Sequence, residues 1–244
     1  MALLFFTTAL IYASVGFAGG STYLALLTLF DFPYQQLPVV ALICNLLVSA
    51  GGVWHFSKNN FLNWKRVVPF FVFSIPMAFF GGSLHIPKNI FLFLLAVSLL
   101  IAALRLFFIF SDSTKNLETA HFNLYLALLA GGALGFVSGL IGIGGGIFLS
   151  PILYLTRWGN ARQISAACSL FIFVNSLSGI FGQFSKGTGA VSNLSTIVPL
   201  VLAAFLGGQI GSRLGTARLS LPLVQRTTAL LILTVSLQIF WRLL

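Results

Sequence analysis

The chain alternates between long apolar runs and short polar gaps, and this pattern predicts membrane-spanning helices. Several runs reach about 20 residues, the length that crosses a bilayer as an α-helix. The gaps carry the Asn, Ser, Gly and charged residues expected at membrane interfaces. The first and fifth of the eight runs exceed one crossing and contain glycine clusters; the runs are Ala2 to Phe30, Tyr34 to Phe56, Val67 to Leu84, Lys88 to Phe110, Phe122 to Leu155, Ala161 to Phe184, Leu194 to Leu214 and Pro222 to Trp241.

The composition excludes a soluble domain and predicts an all-α polytopic membrane protein embedded in the lipid bilayer. Hydrophobic residues occupy 58% of the 244 positions, charged residues 7%, and the mean hydropathy is +1.03. Soluble domains carry roughly 25% charged residues. The net charge of +10 comes from 13 Lys and Arg against 3 acids. Because nearly all these cations lie in or beside the gaps, they act as topology signals, and we expect no nucleic-acid partner.

Two glycine clusters interrupt the first and fifth runs. The stronger cluster ends in three adjacent glycines, Gly144, Gly145 and Gly146, and a weaker copy spans Gly16 to Thr22. Adjacent glycines do not hold a helix together, so the clusters predict helices that break inside the membrane. The N–H groups freed at the start of a half-helix attract anions. Paired breaks in the two halves of a chain indicate the binding site of a transporter.

The two halves of the chain repeat one another. Ordered self-similarity of this kind indicates a duplicated unit. We therefore divide the chain into a first transmembrane repeat (1–110), a central polar loop (111–121) and a second transmembrane repeat (122–244), with four helical segments in each repeat. The matches recur in one order at offsets of 126 to 138 residues: Phe56-Ser57-Lys58 with Phe184-Ser185-Lys186, Pro69 with Pro199, Gly81-Gly82 with Gly207-Gly208 and Val97-Ser98-Leu99 with Val235-Ser236-Leu237.

The distribution of Lys and Arg favours two inverted repeats. If every run crosses the membrane once, the two faces carry 7 and 6 cations, which gives no preference. If each broken run is a re-entrant hairpin, each repeat crosses three times, the second repeat is inverted, and the count becomes 10 against 3. Because Lys and Arg favour the cytoplasmic side, both termini then lie outside and the central loop inside. Each hairpin arm has about a dozen residues, and the tips are expected to meet near the midplane.

Polar residues inside the apolar runs form a second group of candidates. Asn45 follows Cys44 as Ser169 follows Cys168, so both repeats place a small polar residue at a similar depth after the hairpin. An isolated Asn or Ser in a membrane helix commonly serves as a contact between helices, and that interpretation stays open. Other polar residues in these runs are Ser49, Asn175, Ser176 and Gln209, and the spaced glycines Gly131, Gly132, Gly135 and Gly139 are expected to allow close helix packing.

The sequence offers little support for catalysis. Its three acids and three histidines lie at segment ends or in the central loop, and Cys44 and Cys168 have no metal-ligand spacing. No nucleophile with a base, and no cluster of metal ligands, can be assembled within the apolar runs. We predict that the protein is not an enzyme and that it has no cofactor and no metal site.

Three motifs carry a resemblance to a known family. They are Gly142-x-Gly144-Gly145-Gly146 followed by Pro151 and Leu153, then Ala166-Ala167-Cys168-Ser169, and then Gly207-Gly208-Gln209-Ile210-Gly211-Ser212-Arg213-Leu214. Together they resemble the sulfite exporter TauE/SafE family, also called the TSUP family, over essentially the whole chain. The chain departs from the family pattern at Ala18, Ala25, Cys44 and Cys168. The resemblance implies transport of sulfur-containing anions such as sulfite, sulfoacetate or thiosulfate, usually out of a bacterial cytoplasm across the cell inner membrane.

The residues and the resemblance together predict a secondary transporter that exports a small sulfur-containing anion by alternating access. A passive anion channel is the alternative, and a membrane enzyme acting on sulfur compounds has less support. The oligomeric state is left open, a homo-oligomer included. The predicted cargo site lies between the two breaks and is lined by Gly19, Gly20, Ser21, Thr22, Asn45, Gly144, Gly145, Gly146, Ser169, Asn175 and Gln209.

Overall fold

The computed structural model describes residues 1–108, 124–187, 194–215 and 222–243, and all the regular structure in these ranges is helical. The predicted central loop, 111–121, lies outside the described residues. The helices are α1 (Ala2–Ser14), α2 (Gly20–Leu29), α3 (Leu37–Lys58), α4 (Trp64–Ser83), α5 (Lys88–Phe108), α6 (Leu124–Ile141), α7 (Gly146–Leu155), α8 (Ala161–Ser185), α9 (Leu194–Gly215) and α10 (Pro222–Leu243).

Both long runs break where the glycine clusters predicted. The first run divides into α1 and α2, and the fifth into α6 and α7. The expectation of about a dozen residues per arm fits α1, α2 and α7 but is wrong for α6. With 18 residues, α6 is about 27 Å long at 1.5 Å per residue and is one of five described helices long and apolar enough to cross a membrane. Its sequence stays apolar up to Ile141, so nothing ends the helix before the first αL glycine.

The helices pair in a pattern that is the same for both halves. Helix α1 packs along α9, and its counterpart α6 packs along α4, which is the counterpart of α9. Helix α3 packs against its own counterpart α8, and α5 against its counterpart α10. The first arm of each half is therefore held mainly by a helix of the other half. This exchange extends the repeat seen in the sequence to the packing of eight of the ten described helices.

Equivalent helices of the two halves run in opposite directions. In the α3–α8 interface, Gly52 lies against Ser169 and Leu42 against Gly179, so the residue numbers run antiparallel. In the α5–α10 interface, the Ser236 hydroxyl donates to the Ala96 carbonyl at 2.8 Å. These directions are those that inverted repeats require, while the orientation of the two halves in a bilayer stays a prediction.

The chain turns back on itself at both breaks. In the first half, the ring of Tyr23 in α2 stacks on Phe5 near the start of α1, with centroids 4.8 Å apart. In the second half, a Cβ at Gly145 would lie 3.4 Å from the Leu134 carbonyl oxygen in α6. A straight continuation of the helix would carry these residues more than ten ångströms apart at 1.5 Å per residue. Each broken run is therefore a hairpin.

Glycines bring helix backbones into direct contact. A Cβ at Gly131, Gly135 or Gly139 would overlap the carbonyl of Phe70, Ser74 or Ala78 in α4. The equivalent α1–α9 interface uses Gly207 and Gly211 against the Phe6 and Leu10 carbonyls. The packing role predicted for these α6 glycines is confirmed for three of the four, whereas a Cβ at Gly132 would meet only side-chain atoms, of Phe73 at 3.4 Å and of Met77 at 3.8 Å.

The helix directions place both termini at the same end of the bundle. Helix α1 runs parallel to α9, and the last turns of α10 lie beside the first turns of α5, since Phe240 and Phe93 are in ring contact. The ends of α4 and α8 lie at this end too, because Gly82 packs on Gly182. We call the end that carries His85, Lys88 and Lys186 the terminal face, and the charge count assigns it to the outside.

The topology can be tested by labelling single cysteines in cells with a membrane-impermeant thiol reagent. Lys88→Cys on the terminal face should react in intact cells. Asn59→Cys, at the C-cap of α3 and so at the opposite end of the bundle, should react only after permeabilisation. Cys44 and Cys168 are buried and are replaced by Ala in the background to avoid residual signal. Labelling of Asn59→Cys but not Lys88→Cys in intact cells would reverse the orientation, and labelling of both would contradict the helix directions.

Candidate functional site

The first break presents the N-terminus of α2 to the interior of the bundle. Gly19 is the N-cap and has φ +92°, in the left-handed region that favours glycine. No side chain caps this helix end, so the N–H groups of Gly20, Ser21 and Thr22 have no intrahelical partner. All three residues are buried. The half-helix therefore holds a cluster of backbone donors, with the positive end of its dipole, inside the protein.

The second break does the same for α7 with more glycine. Gly142, Gly144 and Gly145 have φ values of +94°, +87° and +75°. Gly145 is the N-cap of α7, and no side chain caps that end either. The N–H groups of Gly146 and Ile147 precede the first intrahelical bonds, which reach the Gly145 carbonyl from Phe148 and Leu149. The glycine triplet thus supplies the backbone conformation that turns the chain from α6 into α7.

The two breaks meet at Asn45. Gly20 packs against the carbonyl of Ile143 so closely that a Cβ there would overlap it. A Cβ at Gly20 would lie 2.5 Å from Asn45 Nδ2, and one at Gly144 would lie 2.9 Å from the same atom. Asn45 is fully buried, and its Nδ2 donates to the Gly142 carbonyl at 3.1 Å. Asn45, a residue of the first half, is therefore hydrogen-bonded to the break of the second half.

Ser169 performs the equivalent task from the other half. Its hydroxyl donates to the Gly16 carbonyl at 2.9 Å, and one turn earlier Ser165 donates to the Val15 carbonyl at 2.9 Å. The break carbonyls that have lost their helical partners thus find donors on α8, as the Gly142 carbonyl finds one on α3. The pairing of Asn45 with Ser169 in the sequence corresponds to two contacts that cross between the halves.

Four buried polar atoms near the breaks have no hydrogen-bond partner among the described residues. They are Asn45 Oδ1, Tyr23 OH, Asn175 Oδ1 and Ser176 Oγ. Tyr23 OH lies 3.4 Å from the position of a Cβ at Gly19, beside the start of α2. The register that sets Gly52 against Ser169 and Leu42 against Gly179 places Ser176 opposite Asn45. Buried polar atoms are normally satisfied, so these four are candidates for contact with a polar ligand. Ser74 Oγ in α4 and Ser138 Oγ in α6 are also buried without a partner.

The remaining predicted site residues lie at different distances from the meeting point. Thr22 donates to the Tyr12 hydroxyl at 3.0 Å, and Asn175 Nδ2 donates to Phe171 within its own helix at 2.8 Å. Gln209 donates to the Leu47 carbonyl at 3.3 Å and packs on Gly51. Gln209 therefore joins α9 to α3, and the structure gives it no contact with either break.

The hairpin tips pass one another, and it is the segments behind the tips that touch. Gly16 packs on Ser165, in the first turns of α8, and Gly142 packs on Pro38, in the first turn of α3. The contact between the breaks lies at Gly20, Ile143 and Asn45, the ninth of 22 residues in α3. The expectation that the hairpin tips meet near the midplane is therefore wrong, because each tip reaches beyond the middle of the bundle and the residues that meet, Gly20 and Ile143, lie beside the tips.

Sequence reasoning did not assign Tyr23, Ser165 or Gln183 to this region. Gln183 Nε2 donates to the Gly139 carbonyl at 2.9 Å in the last turn of α6. A signal for Ser165 exists, since it precedes Ser169 by one helical turn and so shares its face. Tyr23 follows Ser21 and Thr22 directly and could have been included with them. The only sequence feature that could have pointed to Gln183 is its position inside an apolar run.

Half-helices whose N-termini meet inside a bundle of two related halves characterise a class of membrane transporters with broken helices. The chain belongs to the sulfite exporter TauE/SafE family, whose sequence model matches residues 1–239. The chain is thus a multi-pass membrane transporter, in agreement with the prediction that it is not an enzyme. The family predicted from the three glycine-containing and cysteine-containing motifs is confirmed.

Curated relatives extend over almost the whole chain. The "Probable membrane transporter protein y4hK" of Sinorhizobium fredii is 32% identical over 244 residues, covering 99% of this chain and 97% of the relative. The "Probable membrane transporter protein MJ0441" of Methanocaldococcus jannaschii is 25% identical over 243 residues, with 89% and 88% covered. No solved structure matches the chain. The relatives' names support transport across a membrane and specify no cargo.

The contact between the halves can be tested through Asn45. Asn45→Ala should lower the free energy of unfolding by about 1–3 kcal/mol, because it leaves the buried Gly142 carbonyl without a donor. Ser49→Ala is the matched control, since the Ser49 hydroxyl donates at 2.6 Å only to its own helix, at the Asn45 carbonyl. Thermal unfolding in detergent, followed by tryptophan fluorescence, measures both. Equal midpoints for the two variants would contradict the bridging role of Asn45.

Proposed function

We propose that the protein is a secondary transporter that exports small sulfur-containing oxyanions, such as sulfite, sulfoacetate or thiosulfate, across the cell inner membrane. The description of its family as sulfite exporters supports the cargo and the direction. The observation that carries the proposal is the meeting of two uncapped half-helices at a buried Asn with an unpartnered oxygen. The cargo binds there, between the two halves.

Backbone donors suit an oxyanion at this depth. The N–H groups at the start of α2 and α7 have no helical partners, and each helix end carries about half a positive elementary charge. Such ends bind sulfate, phosphate and carboxylate groups without a cationic side chain. Of the chain's three acids, Asp31 lies between α2 and α3 and the other two belong to the predicted central loop, so no carboxylate opposes the anion inside the apolar runs.

The polar atoms around the breaks favour a cargo that also donates a hydrogen bond. Asn45 Nδ2 is occupied by the Gly142 carbonyl, which fixes the orientation of the amide and leaves Oδ1 as an acceptor. Hydrogen sulfite carries one proton and two further oxygens, so it can donate to Oδ1 and accept from the half-helix N–H groups. The Tyr23 and Ser176 hydroxyls, which have no hydrogen-bond partner among the described residues, supply additional donors.

Alternating access follows from the symmetry of the two halves. Asn45 grips the second break, Ser169 grips the first, and the two contacts occupy equivalent positions. If each half can adopt the conformation of the other, an exchange of conformations between them would open the site first to one face and then to the other. Other transporters built from repeats work in this way. The hinge region is the glycine backbone, which tolerates large changes of φ.

The buried hydroxyls give a sharp test because removing them costs the fold no hydrogen bond. Ser176→Ala and Tyr23→Phe should each weaken sulfite binding by roughly tenfold or more, as expected when a hydrogen bond to a charged ligand is lost. Ser74→Ala is the matched control, since Ser74 Oγ is also buried and unpartnered but lies on α4, at its contact with Gly135 of α6. Calorimetric titration with sulfite and with sulfate, on variants of matched thermal stability, measures the affinities.

Transport is measured with purified protein in liposomes. Radiolabelled sulfite should accumulate by counterflow against unlabelled sulfite, and the flux should saturate. Flux that increases linearly without counterflow would instead identify a passive channel, and a chemically altered product would identify an enzyme. Unchanged sulfite affinity in both Ser176→Ala and Tyr23→Phe would show that the cargo does not bind at the site described above.

A substitution at Gly145 is a poor test of the same site. Its φ of +75° is strained for any other residue, and a Cβ there would lie 2.8 Å from Phe171 Cε1. A Cβ at Gly135 would likewise overlap the Ser74 carbonyl. Substitution of either glycine therefore alters the fold before it alters the cargo contacts, which is why the hydroxyl variants are the better choice.

A further inference from the structure

A half-open cavity of about 240 Å³ lies at the terminal face. The starts of α3 and α5, the segment that joins α4 to α5, and the ends of α6 and α8 enclose it. Polar groups from four side chains, Gln35, His85, Gln183 and Lys186, share its wall with apolar residues, including Pro38 and Leu140. Its position beside the helix ends, away from Asn45, makes it separate from the cargo site proposed above.

The inner wall of this cavity is the second break. Leu140 lines the cavity two residues before Gly142, and Pro38, which also lines it, is the residue against which Gly142 packs. Gln183, also on the wall, donates to the Gly139 carbonyl. A solute in the cavity is thus separated from the Asn45 region by the backbone of the Gly142 turn. The cavity leads from the terminal face toward the site where the two breaks meet.

Lys186 is the cation of this wall, and it is half-buried. Burial lowers the pKa of its ammonium group below the usual value, because the charged form loses hydration. Among the described residues, no carboxylate forms an ion pair with it. An anion that binds beside an ammonium group in this position stabilises its charged form, since the anion replaces the lost hydration.

The repeat places a lysine at the same point of the other half. Lys58 ends α3 as Lys186 follows α8, and both belong to the repeated Phe-Ser-Lys sequence. Because α3 and α8 run antiparallel, the two lysines lie at opposite ends of the bundle. Each face therefore presents one lysine from an equivalent position, as a path that is used from both faces requires.

We propose that the cavity at the terminal face is an antechamber, in which Lys186 binds the sulfonate or sulfite group of the cargo before or after it occupies the site at Asn45. This inference rests on the proposed function for the identity of the anion. The group recognised is a single tetrahedral or pyramidal oxyanion, held by the ammonium group and by the polar side chains of Gln183 and His85. A volume of about 240 Å³ accommodates one such ion with several waters.

A transport assay tests the role of Lys186 against a matched lysine. With sulfite supplied at the terminal face, Lys186→Gln should raise KM for sulfite roughly tenfold with little change in kcat, because a charge in a cleft raises the local concentration of the anion. Lys186→Arg should restore the wild-type KM. Lys88→Gln removes an exposed lysine of the same face that does not line the cavity, and its KM should be unchanged. Equal KM values for Lys186→Gln and Lys88→Gln would overturn the antechamber.

A labelling experiment tests for anion binding in the antechamber without measuring transport. An amine-reactive acylating reagent is applied to the purified wild-type protein with and without methanesulfonate, and modification of Lys186 and Lys88 is quantified by mass spectrometry. Methanesulfonate should slow the modification of Lys186 several-fold and leave Lys88 unaffected. Equal protection, or none, would overturn the proposal. If sulfite is not transported but Lys186 is protected, the proposed function fails while the anion site at the terminal face stands.

Discussion

The fold depends on satisfying the backbone groups that two broken helices release inside an apolar bundle. An unpaired N–H or carbonyl at such depth costs several kcal/mol, so a break persists only where partners are provided. Here the partners come from the opposite half: Asn45 serves the Gly142 carbonyl, and Ser165 and Ser169 serve the carbonyls of Val15 and Gly16. The carbonyls are satisfied in this way, while the N–H groups of the half-helices remain available to an incoming anion.

This division of partners separates the contacts that hold the fold from the atoms that we propose bind the cargo. Donors that the fold needs are engaged with carbonyls, and the acceptor and hydroxyl atoms left over, on Asn45, Tyr23 and Ser176, lie where the half-helices begin. The backbone conformation that makes room for them is restricted to glycine at Gly19 and Gly145, because only glycine adopts their positive φ without strain. The proposed anion site and the geometry of the breaks therefore have the same origin.

Much of this arrangement follows from local sequence patterns. The glycine clusters predicted the breaks, the spaced glycines of α6 predicted close packing on a neighbour, and the Cys-Asn and Cys-Ser pairs identified equivalent positions in the two halves. The partners were beyond such patterns, because contacts such as Asn45 to Gly142 join residues 97 positions apart. The length of α6 was misjudged because its sequence stays apolar up to Ile141 and no residue before the left-handed Gly142 ends the helix.

The glycine contacts between α6 and α4, and between α1 and α9, have a consequence for what counts as a domain in this protein. The first arm of each hairpin lies backbone to backbone with a helix encoded in the other half. The units that pack most intimately are therefore interlocked across the duplication, and neither half of the sequence contains the partner of its own first arm. An ancestor with a single copy of the repeat could have assembled the same contacts only by pairing with a second copy of itself. The fused chain retains that dependence as an intramolecular dimer. Its two halves cannot separate without unfolding both hairpins.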